Sequence, residues 1–423
     1  MERKINDELL KWKRDYLNKT FFLYGPRCVG KTFSVLEFGK KYYRNIAYFN
    51  LANNEELLNI IEKEKSYDRL ISKLSLFCGE SIFSEDTLIV LDNCNDERSL
   101  KDMKIFIQDN SPYAVIIISS NRQLVNKTHI EGFFYRSMNN LDFFEYLNNS
   151  NQKQLIDFIK DSYENSTPMP FHQMALDTYY EFLSTGGFPE VVNARLNGAT
   201  DLEVEAIKNK ILDVYRSSYL ENDNLNNSLR SEEIVKSLPL TLIKENKKYQ
   251  YGMIKKGARS KDYDGNINSL VSNGFLNRSY RLIDVKSPLL NARDLESFKL
   301  YFNDVGLLYS MLFLNKTRML TDDNIKRSLI ENDVANTLIK LGYSLYYYQS
   351  DGKAEIQFVI QNRMGKIIPI EIVNMKLTKA KAMSIFLSKY NLTDCIRLTE
   401  DNFSKKKNVR YIPIYASCCL KDI

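Results

Sequence analysis

Histidine is nearly missing from this chain: His129 and His172 are the only two in 423 residues. That all but excludes histidine-based zinc sites and Ser–His–Asp triads. Six cysteines (Cys28, Cys78, Cys94, Cys395, Cys418 and Cys419) make no Cys-x-x-Cys pair and no metal-ligand spacing, so they read as reduced thiols. No apolar run is long enough to span a bilayer. The opening Met1-Glu2-Arg3-Lys4-Ile5-Asn6-Asp7-Glu8 is too charged for a secretory signal, so no membrane partner and a cytoplasmic location are expected. Charge of one sign is also modest, a net +6, which permits a nucleic-acid partner without demanding one. What is present describes a folded chain: 44% hydrophobic and 26% charged residues, at a length that predicts two or three domains.

The most informative stretch is Gly25-Pro26-Arg27-Cys28-Val29-Gly30-Lys31-Thr32, a complete G-x-x-x-x-G-K-[ST] phosphate-binding loop. The apolar run Phe21-Phe22-Leu23-Tyr24 before it suits a buried parallel strand, and Phe33 to Phe38 after it fits a helix. In that context Gly25 and Gly30 let the backbone turn N–H groups onto phosphates. Lys31 adds a point charge, Thr32 offers a hydroxyl to Mg²⁺, and the helix N-terminus favours an anion. The expected ligand is a nucleoside triphosphate, ATP, with Mg²⁺.

Strand and helix patterns then alternate. Asn45–Leu51 reads as a strand, and Leu57, Leu58, Ile60 and Ile61 as a helix face. Thr87-Leu88-Ile89-Val90-Leu91 ends at Asp92, a Walker B pattern that places a carboxylate where it can hold the ion Thr32 touches. Hydrolysing ATPases usually follow that Asp with Glu to polarise water. Here the residue is Asn93, which cannot accept a proton, and loss of a general base costs about 10²–10⁴-fold in rate. Asp96 and Glu97 are the nearby carboxylates that could replace it. A fourth strand, Tyr113–Ile118, runs into Ser119-Ser120-Asn121. Strands alternating with helices, with functional groups at their C-terminal ends, predict an α/β, doubly wound parallel sheet of the P-loop NTPase type.

These residues resemble a family of AAA-type ATP-binding proteins of bacteria and archaea that carry a C-terminal domain of unknown function. The likeness runs from an N-terminal helix ending near Trp12, through Leu23-Tyr24-Gly25-Pro26-Arg27, to Leu141-Asp142-Phe143-Phe144-Glu145-Tyr146-Leu147. It continues in Gly186-Gly187-Phe188-Pro189-Glu190, in Phe298 to Leu308 (Phe-Lys-Leu-Tyr-Phe-Asn-Asp-Val-Gly-Leu-Leu) and in Glu355 to Ile360. The resemblance implies that Ser119 or Ser120 acts as a γ-phosphate sensor; ordinary strand-ending polarity explains the same residues equally well. Arg122 and Arg136 are candidates by position for an arginine acting in trans. It also implies a winged-helix middle and a restriction-endonuclease-like end.

The expected organisation is therefore an AAA-type ATP-binding domain over 1–150, a helical lid over 151–205, a winged-helix domain over 206–315 and a degenerate nuclease-like domain over 316–423. Lys244, Lys247, Lys248, Lys255, Lys256, Arg259 and Lys261 make the third segment basic, fit either to contact DNA phosphates or to form a solvated face on a protein-contact module. In the last segment Gln357 stands where a nuclease needs Asp and Val373 where it needs Lys, leaving Glu331, Glu355 and Glu371. Lys376 and Lys379 are the lysines that could substitute. The sequence thus points to a nucleotide-stabilised binding or assembly module with weak or absent hydrolysis and no cleavage of DNA; the alternatives are an active ATPase, or a DNA-binding regulatory or defence component in which ATP is a structural ligand.

Overall fold

Five short runs of β-branched and aromatic residues build the sheet of the first unit: β1 (Phe21–Tyr24), β2 (Asn45–Asn50), β3 (Thr87–Asp92), β4 (Ala114–Ser119) and β5 (Phe134–Ser137). In the computed structural model, which describes residues 1–17, 19–107, 112–222, 225–350, 355–373, 381–421 and 423, all five pair in parallel in the order β2-β3-β4-β1-β5. This unit comprises Met1–Asn140 with Ser272–Phe275. β3 and β4 are buried along their whole length, as unbroken apolar strands are when helices cover both faces of a sheet.

Helix α1 (Lys4–Asp15) buries Ile5, Leu9 and Trp12, one stripe at helical spacing. Trp12 meets Phe21 edge-on at 5.5 Å, and its indole N–H donates to the Lys19 carbonyl at 2.6 Å. Helix α2 (Lys31–Tyr42) packs tightly at Gly39, where a Cβ would come within 2.6 Å of Ile46. Helices α3 (Glu55–Lys63) and α4 (Tyr67–Cys78) bury Leu57, Ile61, Leu70 and Leu74 with Phe22, Phe49, Ile89, Leu91 and Ile117. Parallel pairing brings the strand ends to one edge. Asn50 lies opposite Asp92, and Tyr24 lies between Ser119 and Ser137.

The second unit, Leu141–Val271 with Leu276–Ile423, starts with helices and ends in a mixed sheet. Its first helix, Phe143–Asn149, opens on a capping box in which Asp142 and Glu145 each satisfy the other's backbone N–H. The sheet has eight strands, β6 (Leu276–Leu282), β7 (Arg293–Phe302), β8 (Tyr346–Gln349), β9 (Glu355–Gln361), β10 (Ile367–Val373), β11 (Cys395–Thr399), β12 (Ser404–Lys406) and β13 (Val409–Pro413), in the order β12-β13-β11-β10-β9-β8-β6-β7. The β6–β7 hairpin falls in the segment expected to be a winged helix. It is joined through β8 to the segment expected to be nuclease-like, so one sheet crosses residue 316. An isolated two-stranded hairpin is marginal in water, and pairing Tyr280 and Arg281 with Tyr346 and Tyr347 removes that weakness.

Two of the stretches carrying the family resemblance form one buried joint. The Asp304 carboxylate accepts from Gly187 N–H at 2.7 Å and from Gly306 N–H at 2.8 Å. A Cβ on Gly187 would lie 2.1 Å from the Leu141 carbonyl oxygen, so the close approach requires glycine. A second buried group is ionic: Lys247 pairs with Glu331 at 2.5 Å, and Lys299 pairs with Glu331 at 3.3 Å and Glu355 at 2.6 Å.

Candidate functional site

The turn from β1 into α2 places the whole phosphate-loop motif at the carboxyl edge of the first sheet. Gly25 donates its N–H to the Ser119 carbonyl at 3.2 Å, tying the loop's entry to β4. Gly25, Pro26 and Val29 are buried, while Arg27, Cys28, Gly30 and Thr32 are partly exposed. Gly30 takes φ 87°, a left-handed conformation that suits glycine, and Cys28 takes φ 61°. The Lys31 side chain folds back over the loop, donating to the Gly25 carbonyl at 2.9 Å and the Pro26 carbonyl at 2.6 Å. Burial lowers its pKa to about 8, against the opposing pull of the Asp92 carboxylate. An anion placed in this loop would offset that desolvation.

Thr32 and Asp92 are brought together although 60 residues apart: the threonine hydroxyl donates to Asp92 Oδ2 at 2.6 Å. The same oxygen accepts from the Tyr48 hydroxyl at 3.0 Å, and Oδ1 accepts from Asn93 N–H at 2.7 Å. Burial first, and then the neighbouring Asp92 charge, push the Tyr48 hydroxyl up to about 12, so it is a donor at any ordinary pH. Sequence reasoning missed Tyr48. The available signal was alternation along β2, which puts Tyr48 on the same face as Asn50 at the carboxyl edge.

Asn93 adopts φ 65°, in the left-handed region that asparagine tolerates better than glutamate, and its amide donates to Asn50 Oδ1 at 2.9 Å. Of the possible substitutes, Asp96 is spent as a helix cap: its carboxylate accepts from Ser99 N–H at 2.8 Å and from the Ser99 hydroxyl at 2.6 Å. Glu97 is exposed on the first turn of that helix. Ser119 and Ser120 both donate to Asn95 Oδ1, at 3.2 and 3.0 Å, and Ser120 N–H adds a third bond at 2.7 Å. Asn95, also unforeseen, therefore organises the pair expected to sense phosphate. Arg136 pairs with Glu8 at 2.5 Å and lies 3.8 Å over the Phe134 ring, which fixes it against its own unit.

The donor set suits a magnesium nucleotide. It offers a buried lysine, a hydroxyl and a single carboxylate at the end of β3. Among the described residues no group of three or more His, Cys, Asp or Glu could hold a metal unaided. An ion here would draw further oxygen ligands from phosphate and water, the usual habit of Mg²⁺.

In the second unit the residues expected to mark a nuclease are engaged with protein. Gln357 accepts from Ile372 N–H at 3.2 Å, and Glu371 pairs with Arg397 at 2.9 Å. Val373 is buried, and Lys376 and Lys379 lie outside the described residues. Of the basic cluster, Lys247 is buried against Glu331, Lys248 bonds the Ser297 hydroxyl at 2.9 Å and Lys255 pairs with Glu233 at 2.9 Å. Lys247 is thus an internal charge, because β7 and the helix Asp323–Lys340 close over it. Lys244, Lys256, Arg259 and Lys261 are exposed, as is Lys255 in its surface pair with Glu233.

Family models match three stretches: an AAA domain at residues 17–147, a domain of unknown function (DUF8612) at 176–318 and a domain of unknown function (DUF4143) at 326–416. No curated protein matches the chain. Among solved structures it is similar to a Walker-type ATPase of Pyrococcus abyssi, PABY2304 (11% identity, TM-score 0.43, 74% of this chain and 95% of that one). A second is the Aeropyrum pernix ORC1 protein solved in complex with DNA (13% identity, TM-score 0.32, 78% and 91%). A third is PCH-2 of C. elegans (13% identity, TM-score 0.20, 37% and 45%). No helix among the described residues is long and apolar enough to cross a membrane. The matched AAA domain coincides with the parallel sheet and its phosphate loop, a fold that binds nucleotides. The chain thus carries an AAA domain followed by a C-terminal domain of unknown function.

Proposed function

We propose that this protein binds Mg²⁺–ATP in the loop Gly25–Thr32 and hydrolyses it slowly or not at all, working in the cytoplasm as a nucleotide-stabilised binding or assembly module. The observation that carries the reading is the Thr32–Asp92 hydrogen bond at 2.6 Å, beside a buried Lys31 and without a carboxylate at position 93. In this reading the loop's backbone N–H groups and Lys31 hold the phosphates, while Thr32 and Asp92 orient the ion and its water. Mg²⁺ would supply charge neutralisation between phosphate oxygens. Asn93 holds its bond to Asn50 in place of accepting a proton from water, and Asp96 is committed to Ser99. Ser119 and Ser120, gathered on Asn95, supply hydroxyls for sensing the bound phosphate.

Calorimetry with purified protein tests this directly. ATP with Mg²⁺ should give a saturable binding heat that Lys31→Ala abolishes or greatly weakens, and Asp92→Asn should remove most of the metal dependence. Turnover should be low and should rise on Asn93→Glu by up to about 10²-fold, the usual worth of a placed base, less what the left-handed backbone at 93 withholds. Brisk hydrolysis in the wild type, unimproved by Asn93→Glu, would assign the water to another residue.

A second reading concerns DNA, and the exposed Lys256, Arg259 and Lys261 at the entrance of the helix Ser260–Ser272 favour it. Such cations would hold phosphates without reading sequence. Gln357 and Val373 leave the C-terminal sheet without the carboxylate and lysine of a metal-dependent nuclease, so binding without cleavage is the expected outcome.

A further inference from the structure

Arg3 lies outside every motif, yet it touches the phosphate loop. It precedes α1, is only 8% exposed, and its guanidinium reaches two distant carbonyls: Nη1 donates to Val29 O at 2.9 Å and Nη2 to Asn139 O at 2.6 Å. Val29 is the centre of the loop, between Cys28 at φ 61° and Gly30 at φ 87°. A planar trans peptide points its carbonyl and the next N–H in opposite directions. Holding the Val29 carbonyl on Arg3 therefore turns the Gly30 N–H away from Arg3. Lys31 meanwhile holds the carbonyls of Gly25 and Pro26. Three of the loop's carbonyls are thus fixed by two cations, one from the loop and one from the N-terminal segment.

That segment is anchored in turn by α1. Ile5 and Leu9 are buried, and Trp12 is fully buried against Phe21 of β1, the strand that feeds the loop. We propose that Arg3 is a positioning residue of the nucleotide site and that docking of α1 and binding of ATP reinforce each other. This rests on the nucleotide-binding reading above. The Val29 carbonyl is held only while Arg3 is docked, so nucleotide that needs that peptide in place stabilises the docked helix. Linkage makes the effect reciprocal: whatever lifts residues 1–15 off the sheet lowers nucleotide affinity by the factor that nucleotide adds to their docking. The N-terminal helix is then a handle through which a contact remote from the loop can release the ligand.

The test combines ATP titration with amide exchange on the full chain. In the wild type, ATP and Mg²⁺ should slow exchange across residues 4–15. Arg3→Met should weaken ATP binding about tenfold or more, the usual worth of a charged hydrogen bond to a buried group, and should abolish the ATP-dependent slowing. Arg3→Lys keeps the charge but not the fork that spans both carbonyls, and should fall between the two. Exchange of the β3 and β4 amides reports whether a variant is folded, and the wild-type exchange needs no variant. ATP that binds the wild type but leaves exchange at 4–15 unchanged overturns the coupling alone, as does an Arg3→Met variant that binds ATP like the wild type. A wild type that takes no ATP removes the proposed function and the coupling with it.

Discussion

Lys31 is a cation held on two carbonyls and shielded from water, and its lowered pKa of about 8 makes nucleotide binding pH-dependent in a definite direction. The bound phosphates favour the ammonium form, so binding takes up a proton once the free protein has lost it. Affinity for ATP should be flat below pH 8 and should fall as pH rises beyond it, by up to tenfold per unit. Lys31→Arg, charged throughout, should bind more weakly at pH 7 but lose the slope. Titrations at pH 7, 8 and 9 check both. A second residue gives a stability signature. Asp333 is buried, accepts from Tyr179 at 2.7 Å, and burial raises its pKa to about 6 despite Lys340 nearby; Asp304 and Asp142 also push it up. A raised carboxyl contributes stability that is complete below the unfolded value near 4 and is lost as pH climbs through 6. Asp333→Asn should therefore stabilise the fold at pH 7 to 8, by no more than about 3 kcal/mol, and raise the melting temperature there. Its advantage should vanish near pH 4, and an unchanged melting profile would show that Asp333 is ionised without cost.

Elements were legible wherever one local signal was strong. β3 and β4 are uninterrupted apolar runs, and the phosphate loop is a complete motif between strand and helix. Long-range partners were not. Tyr48, Asn95 and Arg3 are ordinary residues in sequence; the first two join the site because the parallel sheet brings the ends of β2 and β3 to one edge, and Arg3 because α1 docks Trp12 against β1. Lys247 looked like surface charge for the same reason, since nothing near it in sequence tells of Glu331. The joint at Asp304 is the element-scale case that tests this view, because its two glycine partners lie in different segments of one unit. Asp304→Ala leaves two buried N–H groups without their acceptor and should cost about 3 kcal/mol or more. Asp304→Asn, which keeps one acceptor oxygen, should cost roughly half as much. Urea midpoints for the two variants measure it, and equal losses would show that the carboxylate's charge, not its pair of acceptors, holds the joint.

At the scale of the molecule, the eight-stranded sheet changes what the basic segment can do. β6 and β7 belong to that sheet, and several of the lysines that looked like a DNA footprint are committed within the protein: Lys247 to Glu331, Lys248 to Ser297 and Lys255 to Glu233. A net charge of +6 over 423 residues adds little long-range field to compensate. The cations presented at the entrance of the helix Ser260–Ser272 are then chiefly Lys256, Arg259 and Lys261. Three phosphate contacts give a slope of roughly −2.7 in log K against log salt, a loss of about forty-fold between 50 and 200 mM. Duplex DNA should therefore bind weakly, with a slope no steeper than that, and replacing these three residues by alanine should flatten it. Fluorescence anisotropy across that salt range decides the matter. A slope twice as steep would require a footprint well beyond this segment, and binding indifferent to all three substitutions would make the helix Ser260–Ser272 and its approach a protein-contact surface.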